Sequence, residues 1–442
     1  MESGNLPQVV KSAPIDTLIR PFKRFMQIEA SSGIILIFIT IIALVLANTA
    51  LKDFYLNLLD TKIIVGIGDF ALNKNISHWI NDGLMAIFFF VVGLEIKREM
   101  LTGELSSFKK SAFPIFAALG GMIFPALFYV ALNWGNEYEM KGWGIPMATD
   151  IAFSLGILSL LGNRVPLSLK IFLTAFAIVD DLGAVIVIAI FYTANLSLIS
   201  LAIGFGILLV MFLCNFLHVR HPTVYLILGI FLWLALLKSG VHATIAGVLA
   251  ALTIPATAKI DVKSFVIKSK SIIDTIEDKR TSQEDITNNI SELEDKSEKV
   301  LPLSRRFEHD LHLWVAFLIM PIFAFANAGV TLEQNILTAM SNKVTLGIVL
   351  GLFLGKQIGI TLFCWLAVKM KIADLPEGTN WKMVYGAALL GGVGFTMSLF
   401  ISSLAFASPE VVANSKIGIL SASLVSAFAG YFILKRSLNT TT

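Results

Sequence analysis

The sequence predicts an all-α membrane protein of twelve transmembrane helices, on three observations: an apolar composition, apolar runs of spanning length along nearly the whole chain, and Gly- or Pro-broken runs at matching places in its two halves. The 442 residues are 56% hydrophobic and 15% charged, whereas a soluble domain carries about 25% charged residues. Mean hydropathy is +0.79. A run of about 20 apolar residues crosses ~30 Å of hydrocarbon as a helix. Such runs lie at 31–49, 79–100, 112–133, 143–161, 167–193, 197–218, 223–238, 241–255, 313–330, 344–369, 382–406 and 416–435. Segments 7 and 8 are short, and Ser239 and Gly240 divide what would otherwise read as one run.

The chain divides into a tail at 1–30, segments 1 to 8 at 31–255, a charged loop at 256–310, segments 9 to 12 at 311–437 and a second tail at 438–442. Placing the first tail (Lys11, Arg20, Lys23, Arg24) inside sorts the charge by side. Of 34 Lys and Arg, 26 then fall inside and 7 outside, with Lys356 left within a span. By the positive-inside bias both termini are expected in the cytoplasm, in a bacterial inner membrane. The first apolar run lacks a small-residue cleavage site and reads as a retained span. Cys214 and Cys364 lie in apolar segments, where a thiol behaves as a small hydrophobe.

Three stretches are not simple spans. TKIIVGIGDFALNKN, in the 50–78 loop, alternates β-branched residues with Asn and Gly and suits a short outer β-hairpin able to pair with a second copy. The 256–310 loop carries 10 Lys or Arg and 12 Asp or Glu. It is expected to be mobile and peripheral, with one surface helix through Ile286, Ile290 and Leu293. The third irregularity is a pair of broken helices. Segment 4 has Pro146, then Thr149 and Asp150, then Gly156; segment 11 has Gly391, Gly392 and Gly394 before Thr396. Non-helical backbone at membrane depth persists only where it lines a protected cavity. The two segments are the middle members of 3-4-5 and 10-11-12, the pattern of inverted repeats whose broken helices cross at mid-membrane beside an ion site.

Asp180 and Asp181 stand side by side in the middle of SLKIFLTAFAIVDDLGAVIVIAIFY. A carboxylate at the centre of a bilayer costs roughly 2.5 kcal/mol or more, so two in succession point to a visiting proton or cation. Sodium and lithium are hard cations that favour oxygen ligands. Adjacent carboxylates on a helix diverge by about 100°, so both can border one cavity, and in a poorly solvated site they resist double ionisation. Protons and a cation then compete for the pair, which makes it an exchange site for transported Na+, Li+ and H+. Thr149 and Asp150 join it from the break in segment 4. Asp150 is expected to offset two half-helix N-termini, and Lys356 the C-termini, with Asp150 or Asp180 as its carboxylate partner. Lys356 releasing its own proton on cation binding is an open alternative.

Two titratable clusters are candidate pH-response groups. Glu95, Arg98 and Glu99 share a helix face at the end of segment 2, and Glu308, His309 and His312 enter segment 9. Asp82 and His242, near the outer face, read as structural. Gly66-Ile67-Gly68-Asp69 fits the GxGD pattern of intramembrane aspartyl proteases, but it lies in a polar loop without a Tyr-Asp partner helix, so no enzyme is expected. Neither a cofactor nor a nucleic-acid partner is expected.

Taken together, WINDGLMAIFFFVVGLEIKRE, MATDIAFSLG, FAIVDDLGAV, SGVHATIAG, MPIFAFANAG, LGKQIGI and LLGGVGFTMSLFI resemble the NhaA-type sodium/proton antiporters over nearly the whole chain. The resemblance implies a twelve-helix inverted-repeat fold, a homodimer formed through the segment 1–2 hairpin, and electrogenic, pH-regulated exchange of internal Na+ or Li+ for external H+. It carries the cation site onto Asp180 and Asp181, the helix-crossing pair onto Thr149 and Asp150, and the buried lysine onto Lys356. The pH-response positions fall on Glu95, Arg98, Glu99, Glu308 and His312, and the segment 8 histidine on His242. The chain departs from the family in a longer loop before segment 9, and in Gln357 and Leu313, where many members have Pro. The alternative function is a sodium-coupled symporter of an organic anion; the cavity polar groups, carboxylates and a single Lys, offer no basic cluster for an anion.

Overall fold

Peptide groups in hydrocarbon have no water to bond, so apolar runs close their hydrogen bonds within themselves as helices. The computed structural model describes residues 31–67, 70–193, 196–258, 260–277, 282–331 and 336–439. Gly68 and Asp69 of the GxGD stretch, the tail at 1–30 and residues 440–442 lie outside the described residues. Helix α1 (Ser31–Ala47) turns by 109° into α2 (Lys52–Asp60). Strands β1 (Lys62–Ile67) and β2 (Phe70–Asn75) follow, paired antiparallel with Lys62 opposite Asn75. The expected β-hairpin is present. The amphipathic α2 before it is an addition that the sequence reading left as loop.

Long apolar helices then follow: α3 (Ile76–Thr102), α4 (Phe108–Asn133), α6 (Leu167–Phe191), α7 (Leu198–Phe216), α8 (Pro222–Ser239), α12 (Leu303–Ala328), α13 (Lys343–Lys369) and α16 (Pro409–Asn439). Between α4 and α6 lies the shorter α5 (Ile151–Ser159), and after α8 the shorter α9 (Ile245–Thr253). Eight helices among the described residues are long and apolar enough to span, or ten if each bent pair counts as one span. The 143–161 and 241–255 segments each hold only a nine-residue α-helix. Gly240, in the left-handed region at φ 85°, ends α8 where Ser239-Gly240 divides the run.

Both Gly- and Pro-rich segments are interrupted. A 3-10 turn, Lys141–Met147, gives way to extended backbone at 148–150 before α5. Helix α14 (Trp381–Gly391) and α15 (Phe395–Ala405) meet at a 41° bend. In place of the mobile 256–310 loop, two surface helices, α10 (Val262–Glu277) and α11 (Gln283–Val300), form a helical hairpin. Only the second of them is legible as a helix in the sequence, because α10 interleaves Lys with its apolar residues.

The tightest packing joins α4 and α13. Gly347, Gly351, Gly355 and Gly359 recur every fourth residue of α13 and face α4. Small residues at this spacing let helix backbones approach closely where lipid supplies no hydrophobic driving force between helices. A Cβ on Gly355 would lie 2.7 Å from Cα of Pro125, and one on Gly359 would meet the carbonyl of Gly120. Backbone in a wider π turn over Gly351–Gly355 leads directly into Lys356, whose side chain is fully buried. Such bulges re-aim the residues that follow them.

Candidate cation and proton site

The two interruptions touch. Extended backbone at the first leaves peptide groups without helical partners, and the second supplies them: Asp150 N–H donates to Val393 O (2.7 Å) and the Thr149 hydroxyl to Gly391 O (2.8 Å). Ser154, one turn into α5, donates to Leu390 O at 2.8 Å.

Asp150 serves both downstream half-helices. One carboxylate oxygen accepts from Phe153 N–H (3.0 Å), capping α5. The other accepts from Thr396 N–H (3.0 Å) and from the Thr396 hydroxyl, at the start of α15. A carboxylate at a helix N-terminus is favoured by the exposed N–H groups and the macrodipole, and here one carboxylate meets two such ends. Thr396 was quoted in the sequence only as the residue after a glycine break; its hydroxyl sits in the same constellation and is fully buried.

Asp180 and Asp181 point to different surroundings. Lys356 Nζ lies 2.8 and 3.0 Å from the two oxygens of Asp180, donates to the Thr149 hydroxyl at 2.9 Å, and stands 5.5 Å from the centre of the Phe176 ring. All three polar residues are buried, and the open choice of partner for Lys356 resolves to Asp180. Asp181, 2% exposed, has an Oδ1 atom with no hydrogen-bond partner among the described residues. It lines a cavity of about 660 Å³, as do Asp150 and Thr396, whereas Asp180, Thr149 and Lys356 are absent from its wall. The expectation that both carboxylates border one cavity is therefore corrected. The ~100° step between neighbours on a helix turns Asp180 toward Lys356 of α13 and Asp181 into the open space.

From Asp181 and Thr396 the cavity extends past Thr174 and Glu95 to Arg98, Glu99, Glu104, Lys170 and His312. The two titratable clusters, about two hundred residues apart in sequence, meet here. Arg98 pairs with Glu99 at 2.8 Å and with Glu308 on α12, and His312 Nδ1 is 4.0 Å from Glu95. Lys97 ties the same end of α3 to α9 by donating to Leu252 O (2.7 Å) and Ile254 O. Thr174 and Lys170, one and two turns nearer the N-terminus of α6 than Ile178, complete that wall; Thr174 back-bonds to Lys170 O at 3.0 Å.

His309 does not belong to the cluster. Its side chain is 91% exposed and faces its neighbour Asp310. His242 is also away from the cavity wall: its Nδ1 is 3.1 Å from the Thr244 hydroxyl, and its ring meets Phe400 edge-on at 5.6 Å. Asp82 offers its carbonyl to Trp233 Nε1 at 2.9 Å.

A family model described as Na+/H+ antiporter 1 matches residues 23–434 of the chain. A protein of Oleidesulfovibrio alaskensis named Na(+)/H(+) antiporter NhaA is 53% identical over 428 residues, covering 96% of this chain and 95% of its own length. Proteins of the same name from Koribacter versatilis and Pelagibacter ubique are 50% and 48% identical over 426 and 421 residues. They cover 96% and 95% of this chain, and 93% and 98% of their own lengths.

Proposed function

The chain belongs to the Na+/H+ antiporter 1 family, and on that premise we propose that its exchange of sodium for protons across the membrane runs through Asp181, with Asp180 and Lys356 as a fixed charged pair behind it. The observation that carries this reading is the buried Asp181 oxygen, facing a cavity and without a hydrogen-bond partner among the described residues. An unsatisfied buried polar group costs about 1–3 kcal/mol, more when charged. A site that receives a proton or a sodium ion accounts for it. Asp181 then cannot cross the barrier empty and ionised; it moves as the neutral acid or as the sodium carboxylate, and that requirement couples the two flows. Asp150 and Thr396 stand on the same wall and are the next oxygen ligands for the cation. Lithium, a smaller hard ion, suits the same oxygens.

The cavity wall includes Glu104, Lys170 and Arg98, and Arg98 pairs with Glu308 on α12, the helix into which the charged helical hairpin leads. The 26 Lys and Arg that fall on this side of the membrane, against 7 on the other, support a cytoplasmic side, in an inner membrane with both chain ends inside. The state is accordingly read as inward-open, loading cytoplasmic sodium and releasing protons that entered from outside. The Arg98–Glu99–Glu308 network and the Glu95–His312 pair, at the cavity mouth, are the groups proposed to set its response to pH. Counting the interrupted segments and α9 as spans gives twelve helices in inverted repeats. Exposed Ile63, Ile64 and Val65 on β1 support a homodimer through the β-hairpin.

The symporter alternative finds no support, since the relatives are named antiporters. In everted vesicles with an imposed pH gradient, added sodium or lithium dissipates the gradient for the parent chain and not for Asp181→Asn. Full exchange by Asp181→Asn would overturn the assignment.

A further inference from the structure

The helical hairpin α10–α11 lies outside the exchange site, and one of its helices carries more apolar surface than its partner covers. At about 100° per residue, Phe265, Ile272, Ile276, Val262, Ile273 and Val266 fall in one continuous sector of α10. Ile272 is buried, while Val262, Ile273 and Val266 on the other half of the sector are 65%, 43% and 44% exposed. Lys270 and Lys263 stand at the border beyond Val266, together with Glu277 and Asp274 from the last turn, while Lys268 lies at the other border, beside the covered Ile272. Lys can bury its alkyl stem against apolar surface while its ammonium reaches water or a phosphate. An exposed apolar sector with lysines along its free edge fits a helix lying in a lipid headgroup layer.

The base of the hairpin is placed to reach such a layer. Ile260 N–H donates to Lys299 O (3.2 Å), closing the base, and Ser304 N–H donates to Pro255 O (3.1 Å), joining the end of α9 to the start of α12. The apolar span at 241–255 ends seven residues before Val262, so α10 begins close to the bilayer boundary. Charge also differs between the two helices. The three lysines of α10 precede its Asp274 and Glu277, whereas α11 carries Glu284, Asp285, Glu292, Glu294, Asp295 and Glu298 against Lys296 and Lys299. An anionic surface attracts the first part of α10 and repels α11, which fixes which helix faces the lipid.

We propose that α10 docks on the anionic surface of the bilayer, with Val262, Val266 and Ile273 in the headgroup layer and Lys263 and Lys270 on lipid phosphates. Because α11 runs into α12 through only Leu301 and Pro302, docking also restrains the helix that carries Glu308 and His312. The surface is a property of the charged insertion and does not depend on which ion occupies Asp181.

The test uses the full chain with Cys214→Ser and Cys364→Ser, and an environment-sensitive fluorophore attached at Ile273→Cys. The protein is reconstituted in vesicles of phosphatidylcholine alone and of phosphatidylcholine with phosphatidylglycerol. The label is expected to shift blue and resist aqueous iodide only where phosphatidylglycerol is present. Each of Lys263→Glu and Lys270→Glu lowers the docked-to-free ratio by at least about five-fold, the loss of one lysine–lipid attraction, with sodium-dependent exchange retained. A label that iodide reaches equally in both lipids overturns the proposal. So does equal protection in detergent that rises with protein concentration, which would assign the face to a second copy.

Discussion

Lys356 and Asp180 meet at 2.8 Å with neither side chain reaching solvent, while the next residue, Asp181, keeps an oxygen free toward the cavity. Two adjacent carboxylates thus occupy opposite electrostatic situations, one neutralised by a fixed ammonium and the other awaiting an ion. The distinction separates stability from transport, and it can be measured.

Lys356→Ala leaves the Asp180 carboxylate buried and unpaired. Removing one member of a buried pair costs about 3–5 kcal/mol, so the melting temperature in detergent is expected to fall sharply. Adding Asp180→Asn to that variant restores part of the loss, because the orphaned charge is gone. Unchanged melting of Lys356→Ala would contradict the pairing.

Asp181→Asn behaves in the opposite way. No hydrogen bond among the described residues is lost at Oδ1, so melting stays at or above the parent value while exchange disappears. A large loss of stability would assign Asp181 a structural bond.

Thr396→Val keeps shape and the backbone N–H to Asp150 but deletes the hydroxyl bond. Hydrogen bonds to charged groups are worth about 1.5–3 kcal/mol. We expect lower thermal stability and a weaker apparent affinity for sodium, with Thr396→Ser near the parent in both. Equal behaviour of the Val and Ser variants would remove the hydroxyl from the site.

Gly359→Ala places a Cβ against the Gly120 carbonyl, a backbone atom that cannot rotate away. Overpacking of this kind costs about 1–3 kcal/mol or more. Helices α4 and α13 then separate, and a lowered melting temperature is expected together with impaired exchange. The same change at Gly206, which has nothing within 4 Å, should be neutral.

Glu308→Gln breaks the charged link between α12 and Arg98 without touching Asp181. The pH profile of exchange in everted vesicles is expected to shift, while the maximal rate is retained. A profile superimposable on the parent's would exclude Glu308 from pH regulation.

By itself the sequence determined the membrane class, the β-hairpin and the places where helices break, because each depends on local chemistry. Apolar run length sets a span, Asn and Gly among β-branched residues set a turn, and Gly or Pro releases backbone hydrogen bonds. It also singled out Asp150, Asp180, Asp181 and Lys356, since a charge among apolar neighbours is conspicuous without any fold. Tertiary structure alone decided their division of labour. Whether Asp180 or Asp181 meets Lys356 depends on the azimuth of α6 against α13, and α13 is itself seated by a glycine stripe packing on α4 through contacts more than two hundred residues apart. The same holds for Thr396 under Asp150 and for Arg98 beside Glu308: each pair joins distant helices, and no local pattern encodes the angle at which two helices pack.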